Sequence, residues 1–177
     1  GDVFCTNDPY HSQCNHLPDW GFIRPIFYDG ELVFVALTRG HMMDTGGSFP
    51  GGYFPNGYDI HAEGLIIPPI KVYSKGRERT DVLELLWNNV RFPEGVRIDN
   101  YSLMAALQVC ENRVTAMLDK YGKETVLDCV EEMLDRMETS VRAQITNMPD
   151  GTYYGESATD DDGTTLDENV WVRLEAT

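Results

Sequence analysis

Three histidines with acidic neighbours crowd the first quarter of the chain. They lie in Asn7-Asp8-Pro9-Tyr10-His11, His16-Leu17-Pro18-Asp19 and Arg39-Gly40-His41-Met42-Met43-Asp44. Imidazole nitrogens and carboxylate oxygens are the donors that zinc, manganese and iron accept. Two His-x-x-Asp pairs, His16/Asp19 and His41/Asp44, flank a predicted β-hairpin. An antiparallel hairpin returns its outer ends to one place, so the two pairs are expected to be neighbours in space. His16, Asp19 and His41 then offer two imidazoles and one carboxylate, a set that leaves coordination positions open and suits a catalytic divalent ion. Asp8, His11 and Asp44 are the candidates for catalytic groups beside it, for a further ligand, or for orienting the first three. The same spacing also fits a hydrogen-bonded polar loop with histidines packed on Trp20 and Tyr10, and spacing alone leaves both readings open.

Other chemistry is weaker. The Gly46-Gly47 and Gly51-Gly52 pairs can cradle a phosphate or carboxylate with backbone N–H groups. Neither fits a P-loop or a dinucleotide fingerprint, and turn geometry explains them equally. Asp160-Asp161-Asp162-Gly163 lacks the alternating ligands of an EF-hand loop and reads as a solvated turn. Gly-x-Ser-x-Gly is absent, so no nucleophile elbow is readable. His61 stands apart from the cluster and reads as a surface or core-edge residue. The four cysteines form no C-x-x-C pair. Cys110 and Cys129 fall on apolar helical stripes, which predicts buried free thiols and a reducing, cytoplasmic setting. Cys14 reads as a loop thiol close to His16.

The elements that must position these residues come next. Phe22–Tyr28 and Leu32–Leu37 are strand-like, and Tyr28-Asp29-Gly30-Glu31 between them is a hairpin turn. A Gly-, Pro- and aromatic-rich loop covers Gly46–Tyr58. Leu65–Tyr73 is apolar, but Pro68-Pro69 excludes a helix or a central strand, leaving an edge or an extended crossing segment. Thr80-Asp81 starts a helix with Val82, Leu85, Leu86 and Val90 on one face. Asp99 is the expected cap of a second helix with a stripe of Leu103, Leu107, Cys110, Val114, Met117 and Tyr121. Gly122 stops it. A third helix carries Val126, Val130, Met133, Met137 and Val141, and Pro149-Asp150-Gly151 ends it. Two strand-like runs, 152–157 and 170–176, follow. The expected fold is α+β: a β-hairpin-containing region over 1–79 holding the candidate site, a long antiparallel helical hairpin over 80–148 with its Met and Leu stripe as core, and a β segment with an acidic loop over 149–177, all one continuous piece.

Charge narrows the partners. The chain has 14 basic and 29 acidic side chains, a formal net charge of −15. That argues against a nucleic-acid backbone or an anionic membrane surface. No run of ~18 apolar residues exists to span a bilayer. Both ends read as strand-like, which suggests a segment of a longer subunit, with some apolar helical surface facing chain or partner subunits outside it.

Taken in order, Asn7-Asp8-Pro9-Tyr10, His16-Leu17-Pro18-Asp19, Arg39-Gly40-His41, Asp44-x-Gly46-Gly47 and Glu63-Gly64-Leu65-x-Ile67-Pro68-Pro69-x-Lys71 resemble the hydantoinase B family. Asn89-Val90-Arg91, Asn112-Arg113 and Pro149-Asp150-Gly151-Thr152-Tyr153 fit the same pattern. The family includes 5-oxoprolinases and the related subunits of acetone and acetophenone carboxylases. The resemblance implies a fragment of a larger B-type subunit and a hetero-oligomer with a hydantoinase A-type partner. The partner would use ATP to phosphorylate a carbonyl or amide oxygen of a small-molecule substrate. It also implies a divalent metal held by His16, Asp19 and His41. The activity implied is hydrolysis of a cyclic amide; carboxylation of a ketone is the alternative, and a metal-stabilised assembly subunit is the alternative of another kind.

Overall fold

A computed structural model describes residues 1–52, 54 and 56–177. The stretch of the aromatic loop at Tyr53 and Pro55 lies outside the described residues. The chain forms two compact units, 1–116 and 117–177.

The first unit is built on a five-stranded antiparallel sheet of order β3-β2-β1-β4-β5. Its strands are β1 (Val3–Thr6), β2 (Asp19–Tyr28), β3 (Glu31–His41), β4 (Ile70–Ser74) and β5 (Arg77–Glu78). Asp29 and Gly30 both have positive φ, 51° and 83°, as a two-residue turn matched to the right-handed strand twist requires. The hairpin is longer than its apolar runs predict. It reaches from Asp19 to His41, because polar and glycine residues at its open end still pair through the backbone. Pro25 is tolerated within β2 because β1 pairs only with Gly21–Ile23, leaving β2 unpaired on that side at Pro25.

Alternation sorts the sheet into two faces. Val3, Cys5, Trp20, Phe22, Ile26, Ala36 and Val72 are buried and meet the helices α2 (Thr80–Trp87) and α3 (Pro93–Tyr121) through Leu83, Leu86, Trp87, Val96, Met104 and Leu107. This is the core of the first unit. The Pro68-Pro69 segment crosses without strand structure and β4 begins directly after it. β4 is an interior strand, bounded by β1 and the two-residue β5. A four-residue helix, α1 (Ile60–Glu63), is capped by the Asp59 carboxylate on the Ala62 N–H and carries the exposed His61. α3 starts at Pro93 rather than after Asp99. Proline at the first helical position has its φ already set and lacks only an N–H that would be unpaired there anyway.

The second unit holds the end of α3, helix α4 (Lys123–Thr146) and the hairpin of β6 (Tyr153–Thr159) and β7 (Val170–Ala176). Gly122 separates the two long helices with φ +83°. Leu107 on the α3 stripe is buried, as expected of core, but on α4 only Val126 is. Met133, Met137 and Val141 are 48–69% exposed. Their side is apolar by pattern, yet no layer within the unit covers it. Cys129 is exposed rather than buried, and Cys110 is half-buried; all four cysteines are free. The Asp160–Gly163 segment is a turn in which Asp162 accepts from the Thr164 and Thr165 N–H groups. No helix among the described residues is long and apolar enough to cross a membrane.

One side chain ties the loop after β1 to the crossing segment. Asn7 is fully buried; its amide donates to the Leu17 and Leu65 carbonyls at 2.7 and 2.8 Å and accepts from the Ile67 N–H at 2.7 Å. Asn7→Ala leaves those three backbone groups without their partner and is expected to lower stability by about 3 kcal/mol. A denaturation midpoint of the full-length subunit within experimental error of wild type would contradict this.

Candidate metal centre

The His16-Leu17-Pro18-Asp19 segment forms a tight turn. The Asp19 N–H donates to the His16 carbonyl at 3.2 Å, and Leu17 is fully buried as its anchor. The Pro18 carbonyl accepts from the Met42 N–H at 2.8 Å, which extends the β2–β3 pairing past the last strand residues. Asp19 sits directly opposite His41 in the ladder. His41 points to the open face, while Met42 points inward and is buried. There the Asn100 amide reaches the Met42 sulfur at 3.2 Å, and the Trp87 indole N–H donates to Asn100 at 2.9 Å. Leu103 and Met42 close over Gly40: a Cβ there would stand 2.9 Å from Leu103 Cδ1 and 3.1 Å from Met42 Cε, so a larger residue would have to displace those side-chain ends. The strand end that carries His41 is thereby pinned from below.

The result is a compact donor set. Asp19 Oδ1 lies 2.9 Å from His16 Nε2 and 3.1 Å from His41 Nδ1, and the two imidazole centroids are 5.0 Å apart. One ligand atom from each of the three residues falls within 4.8 Å of the others. Burial works against the Asp19 charge, but the two histidines outweigh it and hold the carboxyl below its usual range. The side chains remain partly open, at 30% for His16, 18% for Asp19 and 46% for His41. Two nitrogens and an ionised oxygen converging on one accessible point fit a borderline divalent cation with positions left for a further ligand.

The other three candidates are placed differently. Asp8 folds its carboxylate back onto its own loop, accepting from the Tyr10 and His11 N–H groups and from His11 Nδ1 at 2.7 Å. The His11 side chain is largely exposed. Asp44 is fully buried and lies outside the three-residue cluster. Its Oδ1 accepts from the Gly51 N–H and Arg91 Nη1, and its Oδ2 from the Gly46 and Arg91 N–H groups. With each oxygen engaged twice, Asp44 serves as a bracket for the glycine loop. Of the backbone N–H groups that the sequence offers as a cradle for an anion, those of Gly46 and Gly51 are filled by this aspartate and that of Gly52 donates to the Phe49 carbonyl. Arg91 completes the bracket by donating to the Gly46 and Gly47 carbonyls. No local signal marks Arg91 as the partner of an acid 47 residues earlier; only the fold joins them.

A profile of the hydantoinase B/oxoprolinase family matches residues 1–177. The chain belongs to this family. It is 39% identical over 168 residues to the beta chain of the caprolactamase of Pseudomonas jessenii, covering 95% of this chain and 29% of that protein. It is 37% identical over 161 residues to the B component of a putative D-/L-hydantoinase of Pseudomonas sp. strain NS671, covering 90% and 27%. The crystal structure of the ATP-dependent caprolactamase from Pseudomonas jessenii superposes with a TM-score of 0.85 at 38% identity, covering 98% of this chain and 30% of that one. The chain thus spans under a third of the length of these relatives, and its mixed α/β architecture is the family's own.

The Asp44 bracket generates a pH dependence. Burial opposes its charge, but hydrogen bonds from Arg91, Gly46 and Gly51 prevail and lower its pKa. The stabilisation is therefore complete above the unfolded aspartate value of about 3.9 and is lost as the pH falls through the lower folded value. Asp44→Asn, which puts an amide N–H against two donors, is expected to remove about 3 kcal/mol of local stability at neutral pH. Amide exchange at Gly46 and Gly51 reads it; protection unchanged in the variant would refute the bracket.

Proposed function

We propose that this chain is the metal-holding segment of a B-type subunit in an ATP-dependent, multisubunit enzyme that opens a cyclic amide. The observation that carries this reading is the convergence of His16, Asp19 and His41 at one partly open point of the sheet. A purely structural metal site is closed by protein ligands on all sides, whereas this set leaves an approach from solvent. The names of the relatives support the substrate class: caprolactam and hydantoins share a ring amide. Those names also support an assembly of unlike subunits; in this reading the partner is a hydantoinase A-type subunit, the one that uses ATP. The free cysteines support a reducing, cytoplasmic setting.

Each residue has a distinct role. Asp19 brings the negative charge that a cation requires, and its position opposite His41 is fixed by strand pairing. His16 and His41 supply neutral nitrogens. A divalent ion bound there, zinc, manganese or iron, supplies Lewis acidity toward an oxygen of the activated amide or toward water. Asp8 and His11 lie on the loop leading to His16. Their mutual hydrogen bond leaves His11 exposed, where it can carry a proton to or from the surface. Asp44 and Arg91 keep the glycine loop in place and take no part in proton transfer.

His16→Ala in the full-length complex is expected to remove bound metal and turnover together, with elemental analysis and substrate-dependent ATP consumption as paired readouts. Full metal occupancy in that variant would sink the assignment. ATP consumption on a lactam or hydantoin that does not require bicarbonate is expected; a strict bicarbonate requirement with an alkyl or aryl ketone would instead mark a carboxylase.

A further inference from the structure

We propose that Arg39 is the anion clamp of this same site, its guanidinium holding a phosphoryl or carboxylate oxygen of the substrate beside the His16, Asp19 and His41 donors. The proposal rests on the metal reading above. Strand alternation puts Arg39 and His41 on one face of β3, about 7 Å apart. In the ladder, the Asp19–His41 pair is followed two residues on by Gly21 opposite Arg39. Gly21 has no side chain, and a Cβ there would find only ordinary contacts at 3.5 and 3.6 Å. The position across from Arg39 therefore carries no side chain of its own and is bordered by Leu37 Cδ1 and the Thr6 carbonyl, next to the donor set.

Its partners together with its place beside the donor set single out Arg39; among the described residues Arg77, on β5 at the far edge of the sheet, and Arg113, on α3, also form no ion pair. The chain is strongly acidic, and Arg24, Arg91 and Arg97 of the first unit each hold a carboxylate, from Glu111, Asp44 and Glu84. Among the described residues Arg39 forms no ion pair, and its guanidinium reaches only the sulfur of Cys14, at 3.9 Å; a thiol is a weak acceptor. Asp19, the acid of the neighbouring row, has both histidines on one of its oxygens. A planar fork of N–H donors without a carboxylate matches the bidentate geometry of a phosphoryl or carboxylate group. In a protein of net charge −15 an anionic substrate needs such a local cation.

The test uses the full-length protein with metal content measured in parallel. Inorganic phosphate and acetate are titrated calorimetrically into wild type, Arg39→Gln and Arg39→Lys. Wild type is expected to bind at least one anion, Arg39→Gln to weaken it at least tenfold, and Arg39→Lys to weaken it less, with metal content unchanged in both. Loss confined to phosphate identifies a phosphoryl group as the clamped anion; loss confined to acetate identifies a carboxylate; loss of both identifies a shared oxyanion pocket. Millimolar guanidinium is expected to restore binding to Arg39→Ala. Absence of anion binding in wild type, unchanged binding in Arg39→Gln, or loss of metal in both variants would overturn the clamp. Wild-type protein that binds anion through Arg39 but holds no metal would overturn the metal reading and leave the clamp standing.

Discussion

The register of the β2–β3 hairpin is the constraint on which the site depends. Asp19 faces His41 across the ladder, and this single pairing joins two motifs that are 22 residues apart. A slip of one residue would turn His41 inward and bring Met42, with its apolar sulfur, to the open face. The slip is opposed from both ends. At the closed end the Asp29-Gly30 turn together with the one-residue bulge at Val33, between the Phe27–Leu32 and Ile26–Phe34 pairs, sets the register, and the Pro18 carbonyl with the buried Met42, Asn100 and Trp87 contacts sets it at the open end. The same alternation that buries Trp20, Phe22 and Ile26 therefore presents Asp19, Arg39 and His41 to solvent. Core packing and site geometry are one decision.

Three aspartates near one another in sequence show how environment divides labour. Asp8 and Asp44 have their carboxylates engaged by hydrogen bonds from their own surroundings: the first by Tyr10 and His11, the second by Gly46, Gly51 and Arg91. Asp19 alone is shared between two histidines on a single oxygen. All three are held ionised. Only Asp19 is both ionised and shared between two imidazoles at an accessible point, and that combination is what a cation requires. The glycine loop follows the same logic: the Gly46 and Gly51 N–H groups donate to Asp44, an internal anion that orders the loop.

The membership of the family rests on the whole chain, whereas the candidate metal centre uses a small part of it. Its three donors lie at one end of the sheet in the first unit. The exposed Met133, Met137 and Val141 of the second unit obey helical periodicity as faithfully as the buried Leu107 of α3. Periodicity reports that a face is apolar; burial depends on a neighbouring layer, which is a property of assembly and not of the helix.

Much of this was legible in the residues themselves. Hydrophobic alternation and the Asp-Gly turn located the hairpin. The His-x-x-Asp spacing marked His16 and Asp19, and the antiparallel return of the chain brought His41 to them. These are local signals, carried by side-chain period and turn chemistry, which need no knowledge of distant contacts. Tertiary structure decided the rest. It extended the strands to Asp19 and His41 through backbone pairing that hydropathy does not record. It started α3 at Pro93 instead of at Asp99. It engaged both oxygens of Asp44 by delivering Arg91 from 47 residues away, and it made Asn7 the clasp between Leu17 and Leu65. The physical reason is common to these cases. A sequence states which polar groups are present, but which of them remain available for chemistry is known only after the fold has satisfied the buried ones.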